Sequence, residues 1–263
     1  MIKISKLFYP KLSCDLTRLG KNFDGGYIVE KKSILNSEIL LSFGVADDWS
    51  FEKDFSALGQ KKVYSYDYSV NNKFWFKNLI KSFLNILLFK NSFQNFLKLF
   101  EYIKFRSFYD FKNNFHYKKF ITCGSMQKNL FDNDINISLN KILENVDKNF
   151  FLKIDIEGSE YRILSEILEN SNKINGMVIE FHDFDLHYDK IQKFINNFDL
   201  TLVHLHVNNF GSINEQGLPS VIELSFASSK YLENNLENDK SYPVPNLDMP
   251  NNEEIIDQNI VFY

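Results

Sequence analysis

The sequence predicts an α/β fold with a mainly parallel sheet flanked by helices. Two observations carry that expectation: short apolar, β-branched runs punctuated by turn residues recur along the chain, and helical patterns lie between several of them. The composition agrees, since 263 residues that are 44% hydrophobic and 24% charged can bury a sizeable core without disulfides or metal.

Taken in order, the candidate strands are 38–43, 62–66, 120–123, 150–154, 176–181, 200–206 and 220–227, which together make a seven-stranded sheet. Helices are expected to begin near Ser50, Ser138 and Ser159, and another to span 188–197. After Ser159, residues Ile163, Leu164, Ile167 and Leu168 fall at helical spacing, so one face should pack on the sheet.

The stretch 72–119 breaks this rhythm with one or two helices rich in Phe, Leu and Lys, and reads as a helical insertion after the second strand. Its apolar residues occupy more than one face, which calls for core packing, a homodimer contact or an acceptor-site lid. Residues 71–120 carry a net charge of +8 although the whole chain carries -4, an asymmetry that suits an anionic partner or a solvated basic face. No nucleic-acid motif accompanies it, and nucleic acid is not expected as a partner. The tail 231–263 is acidic and contains Pro243, Pro245 and Pro250; it reads as an extended flap whose apolar end, IVFY, is a candidate to dock.

Cys14 and Cys123 lie far apart without ligand-like spacing, so neither a disulfide framework nor a cysteine-rich zinc site is indicated. The N-terminus has no signal-like apolar segment and no run reaches the roughly 18 apolar residues of a spanning helix, so a cytoplasmic protein with no membrane span is expected.

Chemistry concentrates at predicted strand ends. In LLSFGVADDW the first strand ends before Gly44, and the second ends at Asp67, where an acid can accept hydrogen bonds from both ribose hydroxyls of an adenosine group. The GxGxxG of a pyrophosphate-binding turn is absent, and Asp47, Asp48 and Glu52 follow instead. Such acids repel pyrophosphate but suit a cofactor bearing ammonium and sulfonium groups, which favours S-adenosylmethionine over a dinucleotide. In FFLKIDIEGSEYRIL, Asp155 and Glu157 alternate at the end of the fourth strand and share a face, able to bind ammonium groups, hold a metal or act as a base.

LKIDIEGSE resembles the strand-four signature of the FkbM family of S-adenosylmethionine-dependent methyltransferases, and SFGVADDWSFE resembles that family's cofactor loop, departing from its glycine-rich form at Ala46. RLGKNFDGGYIVE is similar to the DGGY element of members associated with surface-polysaccharide loci. The resemblance spans roughly 18–67 and 138–227. It implies one Rossmann-like class I methyltransferase domain over 1–263, with Gly44, Val45, Asp47, Asp67, Asp155 and Glu157 at the cofactor.

His182 follows the strand run VIEF, and His204 and His206 alternate in LVHLHVNN. His182 is the first choice of general base and His206 the second, beside Asp155. Asp24, Tyr27, Asn208 and Glu223 are the expected acceptor contacts, and Asp155, Glu157 and His182 a possible divalent-cation site. The expected activity is O-methylation of a sugar hydroxyl on a nucleotide-activated sugar or a surface-glycan intermediate. The alternatives are a metal-dependent hydrolase and a non-catalytic nucleotide-sugar-binding module.

Overall fold

A computed structural model of the chain describes residues 1–59, 61–90, 92–124, 135–232 and 237–263. The chain opens with β1 (Ile2–Ile4), then a hairpin of β2 (Leu16–Leu19) and β3 (Tyr27–Glu30), a short helix α1 (Lys31–Leu35), β4 (Ile39–Phe43), α2 (Ser50–Ala57) and β5 (Lys62–Tyr66). Helices α3 (Asn72–Leu87), α4 (Ser92–Lys98) and α5 (Glu101–Phe108) follow, then β6 (Asn114–Tyr117), β7 (Phe120–Thr122), β8 (Asn136–Ser138) and α6 (Leu139–Leu143). The second half runs β9 (Phe150–Ile154), α7 (Leu164–Glu169), β10 (Ile174–Phe181), α8 (Tyr188–Asn197), β11 (Thr201–Val207), β12 (Ile222–Ala227) and β13 (Ile260–Phe262).

Seven strands form the central sheet in the order β11-β12-β10-β9-β4-β5-β6, with β12 antiparallel to both neighbours and the other pairings parallel. The sheet is covered on both faces, as its near-continuous apolar strands require. Along β4, Ile39, Leu41 and Phe43 enter one core with α6, α7 and α8, whereas Leu40 enters a second with α1, α2, Trp75 and Phe105. Chain order reverses between β4 and β9, so a crevice opens beyond their carboxyl ends.

Six of the seven expected strands are in this sheet. The exception is 120–123: among the described residues Phe120–Thr122 pairs with β8 alone, and the sheet's edge is β6, inside the stretch read as helical. Beyond Ser159 the expected helix starts late, as a single 3₁₀ turn over Glu160–Arg162 before α7. The terminal IVFY docks as β13, parallel to β1. Among the described residues no helix is long and apolar enough to cross a membrane.

Candidate active site

A cleft of about 950 Å³ lies over the carboxyl ends of β4, β5, β9 and β10. Gly44, Val45, Asp47, Asp67, Asp155, Glu157, His182, Asn208, Asp24 and Tyr27 all line it, gathered from segments up to 184 positions apart. His206 and Glu223 do not.

The loop after β4 depends on backbone conformation. Gly44 sits at φ +82° and Ala46 at φ +49°, the left-handed region that favours glycine. That is the position where this loop departs from the glycine-rich form. Asp67 fastens the turn: Oδ2 accepts the amides of Val45 (3.0 Å) and Ala46 (2.9 Å), and Oδ1 accepts the amide and hydroxyl of Ser69 (2.8 and 2.6 Å). Burial raises its pKa, but these bonds outweigh burial and hold the carboxyl below its ordinary value. Asp67 therefore organises the loop, and a ribose hydroxyl reaches it only by displacing one of these donors.

The other wall is a chain of acids tied by one tyrosine. The Tyr27 hydroxyl, buried from the DGGY segment, lies 3.0 Å from Asp155 Oδ2 and 3.1 Å from Glu180 Oε2. Its single proton serves one carboxyl at a time. Burial and the neighbouring charges of Asp155 and Glu223 push the Glu180 pKa well above the usual carboxylate range, so this acid can supply the second proton. Asn208 donates Nδ2 to Glu180 Oε1 (2.8 Å), while its Oδ1 accepts the Phe210 amide, so its side chain is committed to holding Glu180. Sequence reasoning missed Glu180. Its signal was a lone acid in an apolar strand, two residues before His182 and hence on the same face.

His182 is held by the last glutamate of IDIEGSE. Its Nδ1–H donates to Glu160 Oε1 (2.9 Å), an oxygen that also accepts the amides of Ile156 and Gly158. Nε2 is left facing Glu157 (3.5 Å), Asp155 (3.9 Å) and Glu180 (3.9 Å). Burial lowers the imidazole pKa, but the bond to Glu160 and the surrounding carboxylates raise it to about 9. Glu157 is strained at φ +53°. Ligand atoms of Asp155, Glu157 and His182 lie within 4.8 Å of one another, a spacing able to hold a metal ion.

Residues 132–210 match a family model described as the methyltransferase FkbM domain. This is the architecture and motif of an S-adenosylmethionine-dependent methyltransferase. The matched segment supplies Asp155, Glu157, His182 and Asn208 to the methyltransferase cleft; its first three residues lie outside the described ones. No curated protein matches the sequence significantly. Among solved structures, the chain is similar to Aeropyrum pernix fibrillarin with natively bound S-adenosyl-L-methionine, at 9% identity over 75% of this chain and 69% of that one, TM-score 0.38. A rRNA methylase from Streptococcus thermophilus aligns at 11% identity over 75% and 93%, TM-score 0.38. Precorrin-6y C5,15-methyltransferase from Geobacter metallireducens aligns at 10% identity over 74% and 82%, TM-score 0.33.

His204 and His206 of β11 serve the acidic tail of this methyltransferase. His204 Nε2 meets Asp248 at 3.1 Å, and His206, 3% exposed, sits between Asp257 (3.0 Å) and Glu223 (3.6 Å). Glu223 in turn accepts Asn251 Nδ2 at 2.8 Å. His206, expected as a second base, and Glu223, expected as an acceptor contact, thus lie outside the cleft lining: both are buried beneath the tail, where ion pairing compensates their desolvation.

Burial lowers the His206 pKa, but hydrogen bonds to Asp257 and Glu223 raise it to about 10. The folded state therefore holds this proton more tightly than the unfolded chain, whose histidine titrates near about 6.5. The resulting stabilisation is fully present below that value and is lost as pH rises through about 10. Substituting His206→Ala, which leaves two acids without their cation, is expected to cost about 3–5 kcal/mol. Calorimetry should register a fall in Tm of roughly 6–20 °C, and a fall under 2 °C would remove the pairing argument.

Proposed function

We propose that this methyltransferase alkylates a hydroxyl of a sugar, presented as a nucleotide-activated sugar or a surface-glycan intermediate. The observation that carries the reading is that the segment matching the methyltransferase FkbM domain builds the end of the cleft where His182 Nε2 faces Asp155, Glu157 and Glu180. The DGGY segment supports the acceptor class, since it contributes Asp24 and Tyr27 to the same cleft. At about 950 Å³ the space is at the upper end of small-molecule sites, which suits two ligands together.

The donor set fits the cofactor. Acids outnumber bases around the cleft, with Asp47, Asp155 and Glu157 available to a cationic ligand, while the Lys153 ammonium is turned away onto the Gly44 carbonyl (2.8 Å) and Glu52 (3.5 Å). S-adenosylmethionine, when bound, supplies an electrophilic methyl group and departs as a neutral thioether. Asp155, oriented by Tyr27, and the Gly44 loop bind and align; alignment of two reactants is worth about 7–11 kcal/mol. His182 Nε2 takes the proton of the acceptor hydroxyl, and Glu160 is the positioning residue that directs that nitrogen into the cleft. A second reading is favoured by the spacing of Asp155, Glu157 and His182: a divalent cation held there would lower the acceptor's pKa instead.

The test combines binding and turnover. S-adenosylhomocysteine at about 100 times its Kd should add about 2.7 kcal/mol of stability, and Asp155→Asn should weaken that shift. Radiolabelled methyl transfer should then favour nucleotide-linked sugars over neutral free sugars. Equal transfer to both would overturn the acceptor class, and an absent thermal shift in folded, ligand-free protein would overturn the cofactor.

A further inference from the structure

Helix α3 is amphipathic in the reverse sense for a surface helix. Its inward side carries Trp75 and Ser82, buried, with Asn78 and Asn85 half-buried along a groove shared with Asn95 of α4. Its outward side carries Phe76 (65% exposed), Ile80, Phe83, Leu84 and Leu87 (58%), which fall on one arc of the helix. Leu88 and Phe89 in the following turn, Phe93 and Phe96 of α4, and Ile103 of α5 are exposed as well. Soluble proteins seldom leave several large apolar side chains on one helix face in water.

Charge identifies what covers it. Lys73, Lys77 and Lys81 are spaced four apart and form an exposed row along one border of the apolar arc. Lys90 follows in the turn after the helix, while Lys98 and Lys104 line the groove under α3, where Lys104 pairs at 2.8 Å with Glu101, the single acid in the three helices. A second copy of this chain would bring the same cationic patch against itself across a two-fold interface, whereas an anionic lipid surface satisfies both features. Apolar side chains enter the acyl boundary and lysines extend to the headgroups. At 16 residues α3 is about 24 Å long, suited to lying in the interface.

We propose that α3–α5 form a peripheral docking surface for a bilayer rich in anionic lipids. The groove under α3 shares Asp47 and Asp48 with the cleft, so docking holds the edge of the cleft beside the membrane. This goes beyond the methyl-transfer reading and does not depend on it.

The test is co-sedimentation of the full chain with vesicles of phosphatidylcholine alone and with vesicles also containing phosphatidylglycerol. Binding is expected only to the anionic vesicles and should fall steeply with salt. The double variant Phe83→Glu, Leu87→Glu, and separately Lys73→Glu with Lys77→Glu, should each weaken it at least about tenfold, with unchanged Tm because these side chains are exposed. Equal binding to both vesicle types would overturn the role of charge. Absence of binding, or a dimer in light scattering that the Phe83→Glu, Leu87→Glu variant dissociates, would overturn the proposal; the wild-type comparison needs no variant to fold.

Discussion

His182→Ala is expected to lower turnover by about 10²- to 10⁴-fold at saturating substrates, the usual contribution of a positioned base, while S-adenosylhomocysteine still raises Tm. The imidazole is directed from behind: its Nδ1–H is committed to Glu160, whose oxygen is itself held by two backbone amides. Nε2 is then the nitrogen that meets the acceptor. With its pKa raised to about 9, the ring is largely protonated at neutral pH. A base works only when deprotonated, so kcat/KM should rise with pH and level off above about 9. Glu160→Gln removes a charge that raises this pKa and should move the rising limb to lower pH, a displacement that loss of structure alone would not produce. A limb that survives in His182→Ala would remove the assignment. Activity abolished by exhaustive chelation and restored by a divalent cation would transfer the role to the metal reading.

Gly44→Ala should be among the most damaging single methyl additions. An added Cβ would lie 1.6 Å from the Asp155 carbonyl oxygen, and the residue already holds φ +82°. Neither neighbour can retreat cheaply, because Gly44 N–H donates to Tyr66 and Asp155 N–H donates to Phe43, joining β4 to β5 and β9 at the crevice. Left-handed strain costs about 1–3 kcal/mol and overpacking about another 1–3 kcal/mol, so Tm should fall by about 2–4 °C for each kcal/mol lost. Gly158→Ala is the control, since Gly158 has φ +91° but nothing within 4 Å of an added Cβ. Calorimetry should place Gly44→Ala well below Gly158→Ala; equal losses would mean that the close approach of β4 and β9 contributes nothing.

The central strands were legible because parallel strands buried on both faces must be apolar almost throughout, as ILLSF and FFLKI are apart from Ser42 and Lys153. The edge strand was not. Asn114–Tyr117 is only half covered and mixes polar with aromatic residues, so NFHY carries little strand signal, whereas the more apolar FIT of Phe120–Thr122 lies in a minor pair. The pairing of Ile2–Ile4 with Ile260–Phe262 joins the two chain ends, a distance over which local pattern carries no information.

The cleft divides along the same line. Gly44, Asp67, Asp155 and Glu157 could be read from the sequence because each follows directly from where a strand stops. The histidines could not be ranked that way: all three occupy strands or strand ends, but His182 lies beside the open crevice whereas His204 and His206 lie where the tail folds back with Asp248 and Asp257. The sequence by itself determined six of the seven strands of the sheet, the turns at its carboxyl edge and the charge imbalance of α3–α5, all properties of local spacing. Which carboxylate faces which imidazole, and which apolar faces stay uncovered, were decided only by tertiary structure, because burial and electrostatic partnership depend on what the distant parts of the chain bring alongside.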